Sequence, residues 1–209
     1  MTDTKDNLVL GVDRALRTLT GLHQPARETP AEGVEESDLQ DGERAHAAGL
    51  MRVNHTGEIC AQALYEGQAL AARSDEAREA LLQSAREERD HLAWCRERLT
   101  QLDAKPRLMD PLFYGASYLM GALTGLAGDK VSLGFVEATE DQVVEHLDRH
   151  MAALPEEDLK SRAIVAQMRT DEAEHGARAL AMGGKPFPRP IKTLMTFASR
   201  VMTETTYRI

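Results

Sequence analysis

The chain has 209 residues, a net charge of −9 and a sequence pI near 5.3. This acidity disfavours a nucleic-acid partner, because binding to phosphates requires a basic face. The length suits one domain that is large enough to bury a substantial core. Aromatic residues make up only 4% of the chain, and the abundance of Ala, Leu, Glu and Arg favours helices over strands.

The first 42 residues are interpreted as an N-terminal amphipathic segment and linker. Residues 7–23 carry apolar side chains at helical spacing, and residues 24–42 are rich in Pro, Glu, Gly and Asp, which predicts a short helix and then a mobile linker. The extreme N-terminus has acidic residues and no apolar core, so it resembles neither a secretory signal nor a transit peptide. Cys60 and Cys95 are expected to be reduced thiols in a cytosolic compartment.

The remaining residues, 43–209, are predicted to form one domain built on four long helices. The helical periodicity and the positions of Gly and Pro place these helices at 43–74, at 75–103, from Asp129 to just before Pro155, and from Glu156 to Gly183. No segment has the alternation that is typical of a strand. The pattern therefore predicts an all-α bundle.

Two further segments are predicted to be short helices for membrane contact. Residues 111–128 carry no charge and include four glycines, and the tail from Lys185 onwards is basic and amphipathic. The first segment reaches only the low end of a membrane-spanning length, so a helix lying in the membrane interface is the preferred interpretation. A crossover helix buried against the bundle, and a simple docking helix for the tail, are the alternatives.

Two of the long helices each carry a Glu-x-x-His motif, Glu88 with His91 and Glu172 with His175. At this spacing the two side chains lie on one face of a helix, one turn apart. A further glutamate stands on the preceding helix at nearly the same distance before each motif, Glu58 before the first and Glu140 before the second. The chain thus repeats one unit of a helix with one Glu and a helix with Glu-x-x-His. This inventory is that of a ferritin-like dinuclear carboxylate site.

Helical phase selects among neighbouring acidic residues. Glu140, Glu172 and Glu88 share their helix faces with apolar residues. Glu87 aligns with the polar residues Gln83, Asp90 and Arg98, so Glu87 is predicted to point outward, as is Glu174. A buried carboxylate requires compensation, and four carboxylates balance two divalent ions. Oxygen and nitrogen ligands without thiolate suit iron or manganese.

Glu87 and Asp171 each stand directly before one of the motif glutamates. From these positions they are predicted to hydrogen-bond the two motif histidines from outside the ligand set.

The residues that surround these positions resemble one family. The runs MRVNHTGEICAQALYEGQ, EERDH, VEATEDQVVEHL and DEAEH are similar to demethoxyubiquinone hydroxylases, diiron monooxygenases of ubiquinone biosynthesis. The resemblance implies a ligand set at the positions already selected and places His146 near the site. Some family members have tyrosine after that histidine, where this chain has Leu147. The implied ligands are Glu58, Glu88, His91, Glu140, Glu172 and His175.

The resemblance also implies the cofactor, the partners and the location. Two iron ions per chain would act on dioxygen and on a polyprenylated benzoquinol with one methoxy group. The protein would be peripheral, on the cytoplasmic side of the cell inner membrane, in contact with lipid and with other proteins of ubiquinone biosynthesis. Alternative enzymes with the same fold are a manganese catalase, a rubrerythrin-like peroxidase and a tRNA hydroxylase. An iron-storage protein is an alternative from a different class. The chain has no Cys-x-x-Cys pairs of a rubrerythrin.

Overall fold

A computed structural model describes residues 4–22 and 25–208 of the chain. Within these residues it contains seven helices and no strand, so the all-α prediction is confirmed. The helices are α1 (Thr4–Thr20), α2 (Asp41–Ala71), α3 (Asp75–Gln101), α4 (Asp110–Leu126), α5 (Asp129–Ala153), α6 (Leu159–Ala181) and α7 (Arg189–Arg208).

The four long helices α2, α3, α5 and α6 form the bundle, with α2 packed along α3 and α5 packed along α6. Two apolar clusters fill its interior. One lies where α2 and α6 begin and α3 and α5 end, around Met51, Leu99 and Met168, and the other lies at the opposite ends of these helices, around Leu81 and Leu133. The middle of the bundle, between the two clusters, is left for polar side chains.

Side-chain caps determine where two of the bundle helices begin. The Ser74 side chain accepts a hydrogen bond from the backbone N–H of Ala77 at the start of α3. The fourth long helix, predicted to begin near Glu156, begins as α6 at Leu159 after a turn. Asp158 caps that helix by accepting from the backbone N–H of Ser161, so the capping carboxylate decides the boundary.

The linker segment, residues 25–40, forms no helix and packs against the bundle, where Ala31 and Leu39 are buried. Its Glu36 accepts a hydrogen bond 2.7 Å long from the Arg98 guanidinium, which also donates to Asp158 over 2.8 Å. Asp90 and Arg98, whose polar character was the reason to predict that Glu87 points outward, are therefore buried. A single-helix projection cannot show that another segment of the chain covers these residues.

Helix α4 packs one face on α2 through glycines and leaves its other face exposed. A Cβ atom built on Gly121 would lie 2.2 Å from the Leu64 carbonyl oxygen, and one on Gly67 would lie 2.2 Å from the Tyr118 carbonyl oxygen. The two backbones can approach this closely only because neither glycine has a side chain. In the described part of the chain, no helix combines the length and the hydropathy needed to cross a bilayer.

We expect that Gly121→Ala lowers the free energy of unfolding by about 1–3 kcal/mol, because the new methyl group overlaps a backbone carbonyl that cannot rotate away. Denaturant unfolding followed by circular dichroism measures this loss. Gly115→Ala is the matched control on the same helix, since a Cβ there meets nothing within 4 Å. We expect the control to leave stability unchanged or to raise it by about 1 kcal/mol through helix propensity. Equal effects of the two substitutions would contradict the packing argument.

Candidate metal centre

The bundle brings all six predicted ligand residues together at its centre. Helix α2 contributes Glu58, α3 contributes Glu88 and His91, α5 contributes Glu140, and α6 contributes Glu172 and His175; none is more than 3% exposed. Their donor atoms form two groups, each within 4.8 Å. The first group is Glu58, Glu88, His91 and Glu172, and the second group is Glu88, Glu140, Glu172 and His175.

Both imidazole rings direct the same nitrogen into this cluster. The Nδ1 atom of His91 lies 3.0 Å from carboxylate oxygens of Glu88 and Glu172, and the Nδ1 atom of His175 lies 3.0 Å from oxygens of the same two glutamates. Glu88 and Glu172 therefore face both rings, whereas Glu58 and Glu140 each belong to one group. Glu88 and Glu172 would therefore help to hold both ions, and Glu58 and Glu140 would each help to hold one.

The outer nitrogen of each ring is held by a carboxylate from the opposite helix. His91 Nε2 donates to Asp171 over 2.8 Å, and His175 Nε2 donates to Glu87 over 2.7 Å. A carboxylate in this position fixes the tautomer that leaves Nδ1 free to bind a cation. These are the two hydrogen bonds that the sequence predicts for Asp171 and Glu87. Glu174, predicted to point outward, is exposed.

The charge distribution fits bound cations. Burial, reinforced by the Glu88 charge, raises the pKa of Glu58 well above its usual range, and burial with Glu172 does the same to the pKa of Glu140. One oxygen of Glu58 lies 3.5 Å from His91 Nδ1 and one oxygen of Glu88 lies 3.0 Å from His175 Nδ1, and in the described structure neither oxygen accepts a hydrogen bond. Two divalent ions would neutralise the four carboxylates and satisfy these oxygens. The donor set suits iron or manganese.

Tyr65 is a residue of the site that was not predicted. Its hydroxyl donates a short hydrogen bond to Glu140, and the side chain is fully buried. Burial, with the charge of Glu140 next, raises the pKa of this phenol well above its usual range, so it remains a donor. Its position seven residues after Glu58, on the same face of α2, was a signal that could have found it.

His146 lies beside the centre without joining it. Its ring contacts the His150 ring at a centroid distance of 3.9 Å, and no hydrogen-bond partner for its Nε2 is found in residues 4–22 and 25–208. Burial, with a smaller effect of Arg149, lowers its pKa to about 4, so the ring is neutral near pH 7. Leu147, which follows it, is part of the apolar core.

A cavity of about 610 Å³ lies beside the cluster and is lined in part by residues of α4 and α7. Glu58, Glu140 and Glu172 line its inner part together with His146. The rest of its wall comes mainly from apolar side chains of α2, α4, α5 and α7, among them Leu64, Phe113, Met120, Phe135, Ile191, Leu194 and Met195.

Comparison with known proteins identifies the family. Residues 45–206 match the model of the family described as ubiquinone biosynthesis protein COQ7. A protein of Azotobacter vinelandii named 3-demethoxyubiquinol 3-hydroxylase is 57% identical over 205 residues, which cover 98% of this chain and 95% of that protein. Proteins with the same name from Pseudomonas paraeruginosa and a Marinomonas species are each 55% identical over 98% of this chain and 95% and 98% of theirs. The chain therefore belongs to the COQ7 family of ubiquinone biosynthesis proteins, whose fold is ferritin-like.

Proposed function

We propose that this protein is a 3-demethoxyubiquinol 3-hydroxylase that uses two iron ions held by the first and second groups. The observation that carries the proposal is that an apolar cavity opens directly onto a buried cluster of four carboxylates and two imidazoles. When bound, a pair of ferrous ions supplies electrons to dioxygen. One oxygen atom would enter the ring as a hydroxyl group and the other would leave as water with two protons, and two electrons from an outside reductant would restore the ferrous pair.

The protein's own residues bind and orient the reactants. Glu58, Glu140 and Glu172 line the inner part of the cavity, so a quinol ring placed there lies against the metal-binding side. The Tyr65 hydroxyl orients Glu140 through its hydrogen bond. The apolar wall excludes water and accommodates the prenyl tail, each buried methylene of which contributes about 0.8 kcal/mol.

The reaction itself tests the proposal. Reduced protein supplied with iron, dioxygen, a reductant and demethoxyubiquinone should form the hydroxylated quinone, with one oxygen atom from labelled dioxygen detected by mass spectrometry. Short-tail analogues should react with weaker apparent binding, because they bury fewer methylenes. Label that arrives from water, or rapid dismutation of hydrogen peroxide with no quinone product, would contradict the proposal. The second result would favour the manganese catalase alternative.

We also propose that α4 and α7 rest on the cytoplasmic face of the inner membrane. Leu119 and Leu123 on α4 are 61% and 53% exposed, and Leu194 and Phe197 on α7 are 68% and 67% exposed. Residues of both helices line the cavity, so a membrane on this side would give a lipid-soluble quinol a short route to it. Apolar exposure supplies the membrane affinity, and the basic tail adds attraction to anionic lipid.

The double substitution Leu119→Asp and Leu123→Asp should move the protein from the membrane fraction to the soluble fraction while its iron content stays the same. Immunoblots of fractionated cells and metal analysis of the purified protein measure the two outcomes. Leu159→Asp with Leu180→Asp is the matched control, because it adds the same charge at exposed leucines of α6. If wild-type protein stays fully in the soluble fraction and is monodisperse without detergent, the membrane proposal is wrong.

A further inference from the structure

The repeat that relates the two halves of the centre extends beyond the ligands. Glu87 and Asp171 are separated along the chain by the same number of positions as the two motif histidines. Gln83 donates to Glu87 over 2.8 Å and Gln167 donates to Asp171 over 2.9 Å, and these two glutamines have that same separation. Each supporting carboxylate thus accepts one hydrogen bond from a histidine and one from a glutamine four residues earlier on its own helix.

The repeat does not extend to the arginine that contacts Glu87. In the second half, Arg178 donates to Glu87 over 3.1 Å, three residues after His175 on α6. The equivalent position on α3, three residues after His91, is Trp94. An indole has one N–H donor and no positive charge, so it cannot supply the cation that Arg178 supplies in the other half.

An arginine from the linker segment lies beside Asp171, where the repeat would otherwise place the counterpart of Arg178. The guanidinium of Arg27 lies over the Trp94 ring at 4.8 Å from its centroid, and its Nη2 atom is 2.8 Å from Asp171. Its Nε atom donates to Asp90 over 2.8 Å. One oxygen of Asp171 therefore contacts both His91 and Arg27. In the same way, one oxygen of Glu87 accepts hydrogen bonds from both His175 and Arg178.

We infer that Arg27 is a positioning residue for the first group, where it replaces in space the arginine that the repeat lacks in sequence. It acts through Asp171 on the orientation of His91. Outer partners of this kind typically change metal affinity by about 10- to 100-fold when they are removed. Because Arg27 is on the linker segment and contacts Asp171, docking of that segment and binding of one of the two ions are coupled, and each strengthens the other.

The inference rests on the proposal that the two groups hold two metal ions, and anaerobic titration with Co²⁺ followed by absorption tests it. Wild-type protein should show two binding steps. Arg27→Gln should weaken one step by about 10- to 100-fold, Arg178→Gln should weaken the other, and the double variant should weaken both. Arg27→Lys should fall between, because an ammonium keeps the charge but cannot bridge Asp90 and Asp171 with a planar fork. Arg17→Gln, at an exposed pair on α1, should match wild type.

Proteolysis supplies a second measurement on the same proteins. A protease that cleaves after glutamate can attack the linker segment at Glu28, Glu32, Glu35 and Glu36. Co²⁺ should slow this cleavage in wild-type protein and should slow it much less in Arg27→Gln. The inference would be overturned if both Co²⁺-binding steps of Arg27→Gln had wild-type affinity, or if the double variant kept one step at wild-type affinity. Either result would leave the proposed function standing. Wild-type protein that takes up no Co²⁺ and no Fe²⁺ would overturn both.

Discussion

Replacing Glu140 with Gln, or His175 with Ala, should reduce bound iron and abolish hydroxylation. Each change removes a buried donor from the second group, which consists of four residues, and Glu140→Gln also removes one of the four negative charges that would balance two divalent ions. Anaerobic reconstitution followed by iron analysis measures the first effect, and quinone product formation measures the second. We expect iron content to fall from two ions per chain to one or fewer, and turnover to fall below detection.

Glu174→Gln is the matched control for these substitutions. Glu174 is on the same helix, two residues after Glu172, but its side chain is exposed whereas Glu172 is 2% exposed. Its loss should leave iron content and turnover near those of wild type. If Glu174 proved necessary and Glu172 dispensable, the ligand assignment on α6 would be wrong.

Replacing Arg98 with Ala should lower the free energy of unfolding by about 3–5 kcal/mol, because it leaves Asp158 as a buried carboxylate without its charge partner. Both side chains are fully buried, and the Arg98 guanidinium also donates to Ser161 and to Glu36 of the linker segment. Urea unfolding followed by circular dichroism measures the loss. The variant should also release the linker segment, which makes it more susceptible to protease.

An exposed ion pair provides the comparison for Arg98. Arg149 lies 3.9 Å from Glu145 on the surface of α5, and both side chains are mostly exposed. Such pairs contribute about 0–1 kcal/mol, so Arg149→Ala should change stability very little. A loss of less than about 1 kcal/mol in Arg98→Ala would show that water compensates Asp158 and that the pair is not structural.

The helices and the six candidate ligands could be predicted because both depend on local spacing. Periodicity and the Gly and Pro positions placed the four long helices within about three residues of their observed ends. The Glu-x-x-His spacing identified Glu88, His91, Glu172 and His175 without any tertiary information. Glu58 was the least clear by helical phase, since its face carries the polar residues Asn54 and Gln62.

What could not be predicted depends on contacts between distant segments. Asn54 and Gln62 are buried because α2 is covered on several sides, and Thr18 of α1 hydrogen-bonds Gln62. Asp90 and Arg98 are buried because the linker segment covers α3. A helical wheel reports only the faces of one helix, so it identifies neither of these coverings nor the contact of Arg27 with Asp171.

The sharing of Glu88 and Glu172 between the two groups has a consequence for how the centre assembles. Each of these glutamates belongs to both groups, so the first half of the repeat completes its group only with a residue of the second half, and the reverse also holds. A polypeptide that contained one repeat would have to pair with another copy around a two-fold axis before it could hold either ion. Its metal uptake would then rise with the square of its concentration. Here the segment with α4 joins the halves covalently, which converts that encounter into an intramolecular step with a high effective concentration. At a fixed concentration of free metal ion, metal loading therefore does not depend on the protein concentration.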